Sequence, residues 1–173
     1  MITIDGGTGV ILHNGIEIAS DKMHDQWVIE SDVAATNDVL TTWTRSSLSD
    51  AAPYLTGMSH SSGVFTFPKT GIYRVDFRFG YYKSDYRRYV GALMQLSTNS
   101  GGSYFDIGRN YTYLNDIDSN NSYNNSSVFC HIDVQNASTY RMRFQVVAQS
   151  EVTVYAATDD VRTLVQFERI ANT

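Results

Sequence analysis

The chain has 173 residues, of which 42% are hydrophobic and 13% aromatic, so it is long enough for one domain with a substantial core. Its formal net charge is −5, and its thirteen lysines and arginines form no dense run, which argues against a nucleic-acid-binding protein. No stretch is long and apolar enough to span a bilayer, so we expect no membrane insertion.

The first thirty residues are predicted to form an extended arm, and residues 31–173 a separate domain. Apolar residues are spaced among glycines in the arm, which suggests short extended pieces with bends. We predict that the arm anchors the protein to a partner through Ile2, Ile4, Val10, Ile11 and Leu12. Because the start lacks the pattern of a secretory signal, we expect synthesis in a cytoplasm.

After the arm, the chain divides into about ten short strand candidates separated by turn residues, with no convincing amphipathic helix. This pattern favours an all-β, antiparallel two-sheet jelly-roll sandwich. The candidates are Gln26–Glu30, Leu40–Thr44, Gly63–Phe67, Ile72–Tyr82, Tyr89–Ser97, Tyr104–Tyr113, Val128–Val134, Tyr140–Ala148, Val152–Ala156 and Leu164–Ile170.

The clearest of these candidates are the two on either side of Pro68-Lys69-Thr70-Gly71. Pro68 cannot donate to a β-ladder and Gly71 tolerates a positive φ, so these four residues are predicted to form a turn. In the run after the turn, apolar and charged residues alternate, as in a half-buried strand. The inward set is Tyr73, Val75, Phe77 and Phe79.

This region also carries a motif, Gly-x-Phe-x-x-Pro-x-x-Gly-x-Tyr, at Gly63, Phe65, Pro68, Gly71 and Tyr73. It resembles an early hairpin of the trimeric jelly rolls of tumour necrosis factor (TNF) and of complement globular heads. The stretch from 58 to 73 is similar to a variant of this domain in structural proteins of marine bacteriophages. The resemblance spans roughly residues 25–170. It implies a two-sheet sandwich, a homotrimer and a role in structure or adhesion.

Several predicted strands carry apolar residues on both faces. In the strand beginning at Tyr89, the alternate set from Val90 to Leu96 is expected to face the core, which leaves Tyr89 and Leu93 outward. Outward apolar groups need a cover. We therefore predict a trimer interface at Tyr89, Leu93, Phe129 and Tyr155. The alternative is that these are scattered surface residues or are covered by the arm.

The segment from Asn115 to Ser127 is nearly all Asn, Ser, Asp and Tyr, and it is predicted to be the longest polar loop. It is either a solvated loop or a contact tip. As a contact tip, it would belong to a surface that recognises a host glycan through Tyr111, Tyr113, Tyr123 and Asn124.

No enzymatic or metal site is predicted. The acidic and amide residues after position 115 lack the glycine and the terminal Glu of a calcium loop, and the four histidines show no ligand spacing. The lone cysteine, Cys130, shares a strand face with Val128 and Ile132, which predicts a small buried hydrophobe. His131 points to the opposite face and cannot activate it. We expect no cofactor.

These observations and the resemblance together predict a non-enzymatic phage virion protein. It is a homotrimeric capsid decoration or cement subunit, made in the host cytoplasm and docked by its arm onto the major capsid protein or another virion protein. The alternative is a short tail or head fibre whose jelly-roll tip binds a host surface glycan.

Overall fold

The computed structural model describes residues 2–4, 11–13, 16–17, 23–46, 57–116, 120–158 and 160–173, and within these ranges the regular structure is entirely β. The strands are β1 (Ile2–Ile4), β2 (Ile11–His13), β3 (Ile16–Glu17), β4 (Met23–Val28), β5 (Val33–Ala35), β6 (Thr44–Arg45), β7 (Ser59–Ser61), β8 (Val64–Thr66), β9 (Gly71–Lys83), β10 (Arg87–Ser97), β11 (Phe105–Leu114), β12 (Ser122–Val134), β13 (Arg141–Ala148), β14 (Val152–Tyr155) and β15 (Leu164–Ala171).

Two antiparallel sheets form the sandwich. The five-stranded sheet has the order β11-β10-β13-β8-β7. In the seven-stranded sheet the order is β5-β14-β9-β15-β4-β6, and β12 pairs along the whole of β9. The all-β, two-sheet jelly roll predicted from the sequence is therefore confirmed.

The core lies between the sheets and follows the alternation of the strands. On β9 the inward residues from Tyr73 to Tyr81 are all 0% exposed, as the sequence pattern predicts. The inward residues of β10, from Val90 to Leu96, face them from the other sheet and are also buried. Aromatic rings fill the centre, where Phe65 contacts Phe144 at 5.5 Å and Phe167 at 5.1 Å between ring centroids. Such close, tilted ring pairs add to the stabilisation from area burial alone.

The turn at Pro68–Gly71 carries the chain from one sheet to the other. β8 before it pairs with β7 and β13, whereas β9 after it pairs with β12, β14 and β15. The two flanking strands are thus not partners in one ladder, and the motif that resembles a hairpin is a crossover here.

The predicted polar loop from Asn115 to Ser127 is wrong in its second half. β12 begins at Ser122, and residues 122–127 pair with residues 83–78 of β9. The backbone ladder forms irrespective of side-chain polarity, and two of the three inward side chains are small and buried: Ser122 is 8% exposed and Ser126 1%. The Ser126 hydroxyl accepts a hydrogen bond from the backbone N–H of Ala92 at 3.2 Å. The polar residues from 122 to 127, which suggested a loop, therefore form part of a strand at the edge of the sheet.

The N-terminal residues form a sheet of their own. Strands β1, β2 and β3 pair in that order, and their ladder includes no strand of the sandwich. The sandwich itself begins at β4, which pairs with β15 and buries Met23 and Trp27. The predicted arm of residues 1–30 thus overlaps the sandwich, because the inward alternation of β4 starts at residue 23.

Candidate functional site

The outer face of the seven-stranded sheet presents an exposed aromatic ring among charges. Phe129 on β12 is 62% exposed, since it alternates with the core-packed Val128 and Cys130. The Arg74 guanidinium lies 5.6 Å from the ring centroid, and Arg74 donates to the Asp76 carboxylate at 2.8 Å. This hydrogen bond is the main reason that the pKa of Arg74 is raised.

A shallow depression of about 370 Å³ lies beside the Phe129 ring. Its lining includes Arg78, Gln166 and Glu168 as well as Arg74 and Asp76. The face therefore has an apolar centre surrounded by both signs of charge, which is the pattern of a contact surface rather than of a catalytic cleft.

Tyr155 lies on the same outer face but is already partly covered. Its ring centroid is 5.5 Å from that of Tyr123 and 5.8 Å from that of Tyr82, and the Arg162 guanidinium stacks on it at 4.0 Å. Tyr82 is held in turn by its hydroxyl, which donates to Asp32 at 2.9 Å. Tyr82, Tyr123 and Tyr155 thus form one packed cluster. The alternation of residues within a single strand could not predict it, because the three lie on different strands.

The other two predicted interface residues lie on the opposite side of the sandwich. Tyr89 and Leu93 are on the outer face of the five-stranded sheet, where Tyr89 packs edge-on against Tyr111 at 5.8 Å. Leu93 is 3% exposed within the protomer, so it offers little surface to a partner. A cyclic trimer joins two different patches of each subunit, so residues on two faces can belong to one kind of contact. The four-residue interface stays a prediction.

A cleft of about 560 Å³ opens between the end of β11 and the start of β12. Tyr113 and Tyr123 line it, with exposed fractions of 56% and 60%. The Asn124 amide ties its two sides together, because it donates to Thr112 Oγ1 at 2.9 Å and to the Tyr113 carbonyl at 2.7 Å. Three of the four predicted ligand-binding residues therefore meet at one cleft.

The fourth, Tyr111, lies elsewhere. A Cβ atom on Gly91 would fall 2.4 Å from Tyr111 Cδ1, which means that the Tyr111 ring covers the backbone of β10. Five other described residues line the cleft and were not predicted: Thr112, Leu114, Asn115, Asn121 and Ser122. Ser122 was missed because the start of β12 was predicted to be part of a loop.

The arm residues can be placed only by strand. Ile2 and Ile4 lie on β1, and Ile11 and Leu12 on β2, where Leu12 pairs with Thr3. Val10 lies outside the described residues. Their role as an anchor stays a prediction.

Cys130 is partly buried against the core, and its Sγ lies 3.5 Å from Met94 Sδ. Burial, aided by the charge of Asp76, raises its pKa to about 11. The thiol is therefore protonated at neutral pH and a poor nucleophile.

Over the described ranges, no group of three or more His, Cys, Asp or Glu side chains is arranged to hold a metal ion. The same part of the chain contains no helix long and apolar enough to cross a membrane.

Comparison with known proteins identifies the fold. No protein-family model matches the sequence, and a search of curated proteins finds no match either. Among solved structures, Eiger TNF from S. frugiperda is similar with a TM-score of 0.64 and 13% identity, over 88% of this chain and 94% of that chain. Murine APRIL at pH 5.0 is similar with a TM-score of 0.61 and 13% identity, over 87% and 100%. This chain thus has a TNF-like jelly-roll fold.

Proposed function

We propose that this chain is a non-enzymatic structural protein of a phage virion, which acts as a homotrimer that decorates the capsid. The observation that carries the self-association is the outer face of the seven-stranded sheet. Covering an aromatic side chain as exposed as Phe129 contributes about 1.5–3 kcal/mol when the burial is complete. Arg74, Asp76 and Glu168 around it supply charges of both signs, so a second copy of the chain can match them.

The virion assignment rests on the stretch from 58 to 73, which is similar to a variant of this domain in marine phage structural proteins. The separate β1–β3 sheet supports an anchoring role for the arm, since its ladder leaves the sandwich complete. A subunit that binds only the assembled shell stabilises that shell by mass action, because opening would require its release. This mechanism needs binding surfaces and no catalytic group.

The second candidate is a short tail or head fibre that binds a host surface glycan. The cleft lined by Tyr113 and Tyr123 favours it, because exposed aromatic rings beside amides suit a polar, uncharged ligand.

Copy number tests the proposal and separates the two candidates. We would measure this chain in purified phage particles by quantitative mass spectrometry against the major capsid protein. A ratio near that of the capsid protein is the result expected of a decoration subunit. A ratio tens of times smaller would favour the fibre, and absence from the particle would contradict both.

A further inference from the structure

We propose that the cleft between β11 and β12 binds a neutral saccharide, with Tyr113 and Tyr123 as stacking platforms. This inference rests on the second candidate function and deepens it by naming the class of glycan, and its test does not depend on whether the chain belongs to a virion. The cleft volume of about 560 Å³ lies in the range of small-molecule sites.

The two rings supply the apolar surface that a sugar needs. Tyr113 is 56% and Tyr123 60% exposed, so each offers ring surface to a ligand. The C–H groups of a pyranose face are weakly positive and pack against the negative face of an aromatic ring. Tyr123 is held in place by its contacts with Tyr82 at 5.2 Å and Tyr155 at 5.5 Å. Little side-chain entropy is therefore lost on binding.

Amide and hydroxyl groups supply the polar contacts. Asn115 and Asn121 line the cleft, are exposed, and make no side-chain hydrogen bond to the described part of the chain. Asn124 is a positioning residue, since its amide nitrogen is engaged by Thr112 and Tyr113 and its Oδ1 accepts from the Asn125 N–H at 2.8 Å. Amides donate and accept, as do sugar hydroxyls, so each free amide can serve two hydroxyls.

An unmet hydrogen bond points independently to a ligand. Ser122 lines the cleft and is 8% exposed, and its Oγ is buried without a hydrogen-bond partner. Buried hydroxyls are nearly always paired, so one at the edge of a cleft marks a place where a partner is expected. In the free protein this Oγ is closed to solvent, so the proposed sugar hydroxyl reaches it only after a local shift at the start of β12.

The charge of the cleft lining indicates which class of sugar would bind. None of the described side chains that line the cleft carries a charge. Lys83, which pairs with Ser122 in the sheet, is engaged by Glu151 at 3.1 Å. An acidic or sulfated sugar would therefore lose hydration without gaining a cationic partner. The ligand is a neutral mono- or oligosaccharide.

The test is saturation-transfer difference NMR on the full chain in its native oligomeric state. The probes are lactose, maltose and N,N′-diacetylchitobiose, with sialyllactose as the charged comparison. We expect at least one neutral probe to bind and sialyllactose to bind no better. Tyr123→Ala and Tyr113→Ala are expected to weaken that binding by roughly tenfold or more, as for aromatic anchors elsewhere.

Two further variants keep the test decisive if a tyrosine variant fails to fold. Ser122→Ala removes an unpaired buried hydroxyl, so it should leave the melting temperature unchanged or higher and still weaken sugar binding. Phe105→Ala, with a ring 50% exposed at the far end of β11, should bind as the wild type does. The proposal is overturned if no neutral probe binds, if sialyllactose is preferred, or if Phe105→Ala loses as much affinity as Tyr123→Ala.

Discussion

At the scale of single residues, the buried carboxylate of Asp25 accepts hydrogen bonds from three other residues. It is 0% exposed and accepts hydrogen bonds from Trp27 Nε1 at 3.0 Å and from the Met58 N–H at 2.7 Å. Arg45 pairs with both carboxylate oxygens, at 3.0 and 3.1 Å, and its guanidinium lies over the Trp27 ring. One carboxylate thus joins β4, β6 and the chain before β7.

We predict that Asp25→Ala destabilises the fold by about 2–4 kcal/mol, mainly from lost hydrogen bonds, because the remaining Arg45 side chain is 39% exposed and can be hydrated. The variant leaves the Trp27 and Met58 donors without an acceptor. Chemical denaturation gives the difference in the free energy of unfolding. The control, Asp106→Ala, breaks an exposed pair with Arg109 and should cost about 1 kcal/mol or less. Equal losses in the two variants would contradict the role of Asp25.

Neither the inward position of Asp25 nor its partners were predicted, because the strand candidate began at Gln26 and the residues before it were assigned to the arm. Met23, Asp25 and Trp27 alternate along β4, so an acid among inward apolar residues signals a buried charge. The partner, Arg45, lies 20 positions away on a strand too short to show a periodicity. Pairing of this kind is a property of the fold and leaves no local pattern.

At the scale of elements, the position of β9 depends on the glycine that starts it. Gly71 has φ of +141°, and a Cβ there would lie 2.7 Å from the Ala171 carbonyl oxygen and 2.5 Å from Arg169 Nε. The absence of a side chain lets the crossover pass directly against β15.

Gly71→Ala is expected to cost at least about 1–3 kcal/mol from the backbone conformation alone, with the clash against Ala171 in addition. Gly80→Ala on the same strand is the matched control, because its new methyl group would meet no atom closer than 3.8 Å. We expect the control to be neutral or mildly stabilising, since alanine suits a strand better than glycine. Thermal unfolding of the two variants tests this prediction. Similar melting temperatures for Gly71→Ala and Gly80→Ala would contradict the role of Gly71.

The regular strands were predictable and the polar one was not, for a physical reason. β9 and β13 each bury one face against the core, so their composition repeats every second residue. The start of β12 buries only serines, and its pairing comes from backbone hydrogen bonds that any sequence can make. Composition therefore marks a strand only where the strand contributes to the apolar core.

At the scale of the whole molecule, the outer face around Phe129 is the surface through which the proposed trimer forms. We expect the wild type to have three times the mass of one chain in light scattering after size-exclusion chromatography. Phe129→Asp places a carboxylate beside Asp76 and removes the apolar centre, so it should yield monomers. Phe105→Asp, on the other sheet, should remain trimeric. A wild-type monomer, or trimers of Phe129→Asp, would contradict the proposed interface.

The position of β15 has a consequence for how the protein is made. It lies between β4, near the start of the chain, and β9, and pairs with both. During translation, the ladders that β15 completes stay open on both sides until residue 171 has left the ribosome. Until then, nascent chains carry exposed strand edges beside aromatic side chains, and neighbouring chains on one polysome can associate through them. Premature termination shortly before β15 would leave a chain that pairs with other chains instead of folding.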